Sequence, residues 1–386
     1  ASDVLKKAVA IAPNNYEVFK GMALLEFRKF NWPMSITYAQ LSKKAFDQDI
    51  DTYLIISEAN LNLSQGILGI TKEESERKES ALKEAKSYLL RAIELDRTNP
   101  EVQVLRVKIA SHEFGTDFGI QALNELITNY PFTLFYRLEL AKLLMSQERY
   151  RDALNLYRQI VSLDEKSTEG FLGLGKALRI LGNNNEAIKA LYQAAIIDSS
   201  DVEPLFQIGV LYFESGQLEK ALSQFIKVRD QNPHFPRINY YYGRAAFDLG
   251  KLDDAEVSAN LEKKNNPKLA EPYLLLGEIY EARKNYSECA AIYSKAISLD
   301  VTPTAVYIKA ARCYRLSGSF DIAENMLKIA YSKESGYADL YKEQGALYHA
   351  KGEISMAINA FYKYLDLSPN APDRVQIEET ISALER

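Results

Sequence analysis

The sequence is poor in the residues that most chemistry needs, with two cysteines and three histidines among 386 residues. Two cysteines make no disulfide framework, and Cys289 and Cys313 both fall on apolar helix faces, so they read as buried free thiols. That reading favours a reducing compartment and, with it, a cytoplasmic location. His112, His234 and His349 have no second ligand at H-x-x-x-H or H-E-x-x-H spacing, and two cysteines in separate segments make no zinc set. No G-x-S-x-G, Walker A or G-x-G-x-x-G motif occurs. LGLGKAL (172–178) is glycine-rich, but Gly175 is explained by the periodicity described below, which leaves Gly173 surplus. Neither an enzyme nor a cofactor is expected.

Long apolar runs are missing as well. No stretch approaches the roughly 18–20 residues that span a bilayer, so no membrane span is expected. A net charge of −5 gives no basic footprint for nucleic acid. With 47% apolar and 26% charged residues, the chain is nevertheless core-forming rather than disordered.

What the sequence has in abundance is repetition. GQLEKALSQFIKVRDQNP (216–233) is matched 34 residues later by GKLDDAEVSANLEKKNNP (250–267). One phase of that period holds only small residues: Gly119, Ala153, Ala187, Ala221, Ala255, Cys289, Ala323 and Ala357. Twelve residues earlier, a second small phase runs Ala141, Gly175, Gly209, Gly243, Gly277, Ala311 and Gly345. Such a period describes pairs of amphipathic helices of about 14 residues each. Their axes approach to about 8–10 Å where the small residues sit, with aromatics filling the groove beside them. One pair cannot cover its own apolar faces, so the pairs must stack.

The pattern resembles the tetratricopeptide repeat, W-x2-L-G-x2-Y…A-x3-F…P at period 34. LLLGEIY…ECAAIYSKA (274–296) carries the likeness most fully, through Leu276, Gly277, Tyr280, Cys289, Tyr293 and Ala296. The family tryptophan is absent, and Trp32, the single tryptophan, falls in a turn. The resemblance implies an all-α fold, an α-solenoid in which antiparallel helix hairpins wind into a right-handed superhelix. Ten repeats fill residues 16–371, with 16 extra residues in the unit 50–99. Residues 1–15, with Leu5, Ala8, Val9 and Pro13 in phase, read as the second helix of a truncated preceding repeat. Residues 372–386 read as a capping helix with Val375, Ile377, Ile381 and Leu384 inward.

The extra residues lie between the two helices of their unit. Thr71 and Glu74 form a capping box that starts the second helix about three turns early, after an apolar GILGI loop. Ile67, Leu68 and Ile70 either fold back on the array or form a partner-binding arm.

The resemblance also implies that the residue after each first-helix small position lines the concave face. That phase reads Leu24, Glu58, Lys108, Lys142, Lys176, Val210, Arg244, Glu278, Arg312 and Ala346. Lys108, Lys142 and Lys176 make a ladder, extended by Arg179 and by Arg312 with Arg315; His112 falls beside Lys108. Phe206, Phe213, Tyr240, Tyr241 and Phe247 cluster on neighbouring phases near Arg244. These residues either form a solvated and packed face or hold a partner segment along 100–270, one with acidic residues. The functional expectation is a non-enzymatic scaffold for a protein or peptide partner. Two alternatives stay open: an assembly subunit that docks a folded protein or its own copy through the early units and the 64–85 arm, and the interaction region of a larger enzyme or signalling protein.

Overall fold

The computed structural model describes residues 2–12, 14–299 and 303–386. Among the described residues there are 22 helices and no strand. The chain divides into two compact units, Ala1–Ile197 and Asp198–Arg386. The first opens with α1 (Ser2–Ile11), followed by α2 (Tyr16–Arg28) with α3 (Trp32–Ala45) and α4 (Ile50–Gly66) with α5 (Lys72–Leu95). It continues with α6 (Pro100–Phe114) and α7 (Thr116–Asn129), α8 (Leu134–Ser146) and α9 (Tyr150–Leu163), then α10 (Thr168–Ile180) and α11 (Asn184–Ile197). The second unit pairs α12 (Glu203–Glu214) with α13 (Leu218–Gln231) and α14 (Ile238–Asp248) with α15 (Leu252–Asn265). After these come α16 (Glu271–Ala282) with α17 (Tyr286–Ile297) and α18 (Thr304–Leu316) with α19 (Phe320–Lys333). It ends in α20 (Ala338–Lys351) with α21 (Ile354–Leu367) and a last helix, α22 (Arg374–Leu384). Each unit is an α-solenoid in which every hairpin packs on the next in sequence.

Local chemistry sets the helix ends. Asn15, Asp49, Asn99 and Ser167 each accept from backbone N–H groups of the first turn of the helix that follows. Hairpin turns reverse through one residue in the left-handed region, which glycine fills at 182, 216, 250, 318 and 352.

The small residues of the period work by contact. A Cβ added at Gly175 would lie 2.5 Å from Leu191, and one at Gly209, Gly277 or Gly345 equally close to the ring of Phe225, Tyr293 or Phe361. In each case the large side chain sits 16 residues on, in the second helix of the same hairpin, and is buried. Where the first helix carries Ala141 instead, the ring of Tyr157 turns to the next hairpin: a Cβ at Gly173 would meet it at 2.2 Å. Gly173, surplus to the period, is therefore the seat of the Tyr157 ring.

Several sequence expectations need correction. Cys289 on α17 and Cys313 on α18 form a disulfide, their Cα atoms 5.8 Å apart, so neither is a free thiol. Both lie on buried faces where consecutive hairpins meet, a proximity that counting cysteines cannot reveal. The cytoplasmic expectation loses its basis with them. Trp32 is not in a turn but opens α3, with Pro33 behind it. Val375 is exposed while Ile377 and Ile381 are buried and Leu384 is half-buried. At 100° per residue, position 375 points nearly opposite 377. Of the opening stretch, Pro13 and the Val9 side chain lie outside the described residues. Leu5 of α1 packs on Gly21 of α2.

The capping box is present in both directions: Glu74 N–H donates to Thr71 Oγ1 at 3.1 Å and Thr71 N–H to Glu74 Oε2 at 3.3 Å. Ile70 N–H donates to the same carboxylate at 3.0 Å, and Ser75 Oγ donates to Gly69 O at 3.0 Å. The loop is thus stiff, yet Leu68 and Ile70 do not fold back on the array; both are 81% exposed, and Ile67 alone is half-buried.

Replacing Gly173 by valine is expected to lower stability by about 1–3 kcal/mol, because the buried Tyr157 ring has nowhere to go. Urea unfolding measures this; an unchanged midpoint would mean that the ring is not seated there.

Candidate functional site

The inward phase brings charges together, but not as a basic ladder. Lys108 on α6 donates to Glu58 Oε1 on α4 at 2.8 Å and lies 3.2 Å from Glu139 Oε2 on α8. Lys142, one turn along α8, meets Glu139 Oε1 at 2.9 Å and Glu169 Oε2 on α10 at 3.6 Å. Acid and base therefore alternate across four successive first helices. The Glu139 side chain is only 10% exposed, which places the middle of the chain out of bulk water. Burial opposes the charge on Lys108, but Glu58 and Glu139 outweigh it and raise the pKa. Burial also opposes the charge on Glu139, and Lys108 and Lys142 overcome it, holding the carboxyl below the usual range. Lys176 and Arg179 lie half-buried on α10.

Beside these charges lies a cleft of about 680 Å³. Its walls come from α4 (Glu58, Asn62, Gln65), α6 (Lys108, His112) and α8 (Glu139, Lys142). Two carboxylates and two ammonium groups line it, so it carries no field of one sign.

The second unit repeats the device. Arg244 on α14 pairs with Glu278 on α16 and, at 3.0 Å, with Asp248. Glu278 also takes Lys309 of α18 at 2.6 Å. Burial opposes ionisation of Glu278, while Lys309 and Arg244 hold its pKa down. Arg312 reaches both Glu281 and Glu343 at 3.2 Å, and Arg315 meets Glu343 at 2.6 Å. The Glu343 side chain is 4% exposed, so these two guanidinium groups neutralise a buried carboxylate.

The aromatic residues do come together. The Phe206 ring centroid lies 5.2 Å from that of Tyr241 and 4.9 Å from that of Phe235. Phe213 and Tyr240 stand edge-on to Tyr241 at 6.4 and 5.5 Å, and Arg237 lies 5.4 Å over Tyr240. Phe206, Phe213 and Tyr241 pack half-buried on the core that contains Phe225. Much of the cluster is therefore packing between hairpins.

Sequence reasoning missed Glu139, Glu169, Glu281, Lys309 and Glu343. A signal was available: opposite charges recur 31 residues apart at Glu278–Lys309, Glu281–Arg312 and Arg312–Glu343. Arg244 and Glu278 are 34 apart, and Glu58 and Lys108 are 50 apart. The last separation is the period plus the 16-residue insertion.

One group of potential metal ligands forms among the described residues, Glu281 with Cys289 and Cys313, where separate sequence segments suggested none. The two sulfurs are bonded to each other and Glu281 faces Arg312, so the group is not free to ligate as it stands. No helix of the described residues is long and apolar enough to cross a membrane.

Models described as tetratricopeptide repeat match residues 138–203, 206–270 and 270–300. Over 219 residues the chain is 23% identical to human protein O-mannosyl-transferase TMTC1, which covers 56% of this chain and 24% of that protein. Over 290 residues it is 22% identical to the TPR repeat-containing protein YpiA of Bacillus subtilis, covering 64% and 67%. The solved APC/C hetero-tetramer Cut9–Hcn1 shares the fold, with a TM-score of 0.50 at 12% identity over 96% of this chain and 76% of that one.

Charge pairing gives the fold a pH dependence. Glu139 and Glu278 have folded pKa values below their ordinary 4.5, so each contributes stability above that pH and loses it as pH falls through the folded value. Glu139→Gln with Glu278→Gln should flatten the fall in thermal midpoint below pH 4.5 while lowering the midpoint at neutral pH. A parallel acid limb in the double variant would contradict the pairing.

Proposed function

Because the chain is a tetratricopeptide repeat protein, we propose that it works by binding, as a scaffold that holds a segment of a protein partner on the inner faces of its first helices. Repeated hairpins supply a long surface and many small contacts in place of one reactive centre. The observation that carries this reading is the cleft of about 680 Å³ in the first unit, where α4, α6, α7 and α8 present Asn62, Gln65, His112 and Thr116 among two lysines and two glutamates.

The expectation of an acidic partner rested on unpaired lysines. Lys108 and Lys142 are already engaged, each by two carboxylates. An ammonium group has three donors, so at least one remains on each lysine after those contacts. A segment carrying both signs and free backbone amides uses what is left, accepting from the lysines and donating to Glu58 and Glu139. Charge complementarity of this kind selects a partner rather than drawing in any acid.

Random dodecapeptides displayed on phage and selected on the full chain provide the test. Enriched peptides should carry acidic and basic residues together, and Asn62→Trp, which fills the cleft from α4, should weaken them at least tenfold with the thermal midpoint unchanged. Peptides that are acidic throughout, or binding indifferent to the tryptophan, would contradict the reading.

A second reading is favoured by one observation. The stretch shared with TMTC1, a protein named as a transferase, makes up only 24% of that protein. On this reading the chain is the partner-holding part of a larger enzyme or signalling protein. A native protein in its source cells well above 43.7 kDa supports it, and one of that mass contradicts it.

A further inference from the structure

The middle residue of the hairpin turns lies in the left-handed region, and along most of the chain it is what that conformation wants. It is glycine at 182, 216, 250, 318 and 352, with Glu148 and Lys284 as exposed polar variants. In the first hairpin the same position is Phe30, at φ 58° and 76% exposed. A large L-residue there is strained, and its mostly exposed ring stands edge-on to Trp32, the centroids 5.5 Å apart. The next two turns have glycine at positive φ, Gly69 and Gly115, but they too carry exposed apolar side chains. Leu68 and Ile70 stand 81% exposed on a loop stiffened by its capping box. At the third turn Phe114 is 72% and Phe118 45% exposed, their ring centroids 5.5 Å apart. The first helices α2, α4 and α6 touch in succession, so these turns lie side by side along one edge of the first unit.

We propose that this edge is a self-association surface, where a second copy of the chain docks apolar turns against apolar turns. Two observations select a copy as the occupant. The five side chains leave on the order of 600 Å² of apolar surface uncovered, more than most monomers show in one patch. That approaches the roughly 800 Å² per partner of a standard stable interface. Charge beside each turn is also matched internally, Lys29 with Glu26, Lys72 with Glu76 and Lys86 with Glu113. The edge therefore meets its own likeness without like-charge repulsion, and it has no basic field to draw it to an anionic membrane.

The test uses the triple variant Phe30→Gly, Leu68→Ser, Ile70→Ser. Glycine suits the left-handed turn and the other two side chains touch no core, so the thermal midpoint should hold or rise. Sedimentation of the full chain over rising micromolar concentration should show the 43.7 kDa species doubling in mass, and the variant associating at least tenfold more weakly. A wild-type chain that stays at 43.7 kDa overturns the proposal, as does a variant that dimerises equally well. A single-copy wild type that floats with neutral lipid vesicles, while the variant does not, overturns it in favour of a lipid surface.

Discussion

Everything in this molecule depends on how closely two helices of one hairpin can approach. Gly209, Gly277 and Gly345 leave a hollow in the first helix, and Phe225, Tyr293 and Phe361 from the second fill it with a ring. A missing Cβ and a large ring are thus one object shared between two helices. Such a pairing buries apolar area without voids, and it fixes the axial register of the hairpin. The seat varies along the chain: Gly243 lies against Ser258 and Leu275 rather than a ring sixteen residues on, and Ala311 shares a core cluster with Leu327.

The second level of order runs between hairpins and is electrostatic. Glu58, Lys108, Glu139, Lys142 and Glu169 link four consecutive first helices of the first unit. Arg244, Glu278 and Lys309 link three in the second. Partly buried pairs of this kind lose strongly if one partner is removed, because the other is left charged and unmatched. Glu58, Lys108, Glu139 and Lys142 therefore both brace the first unit and line its cleft. A partner that binds there competes with contacts the protein already makes, which favours selectivity over strong attraction.

The fold was legible from the sequence because its determinants are local and periodic. Small residues at one phase and rings at another are spacing facts, and spacing survives in a string of letters. The capping box at Thr71 and Glu74 was legible for the same reason. The candidate site was only half legible. Lysines at 108 and 142 could be placed on an inner face, and Glu58 shares their phase, but the contact of both lysines with Glu139 depends on how one helix is offset against the next, which the 34-residue phase does not state. Cys289 and Cys313 were misread because their pairing is set by the junction between hairpins. Leu68 and Ile70 were left open because an apolar loop can cover or protrude, and composition does not distinguish the two. Phe30 carried a clear signal, an aromatic where five other hairpins carry glycine, but it shows only once the turns are aligned on their left-handed residue.

The account stands on the glycine–ring seat, and a double-mutant cycle at Gly277 and Tyr293 tests it most directly. Gly277→Ala adds a methyl group into the ring, and Tyr293→Leu removes the ring that the methyl would strike. The account predicts that each change alone destabilises the chain in urea and that together they cost clearly less than their sum. Simple additivity of the two losses would contradict it.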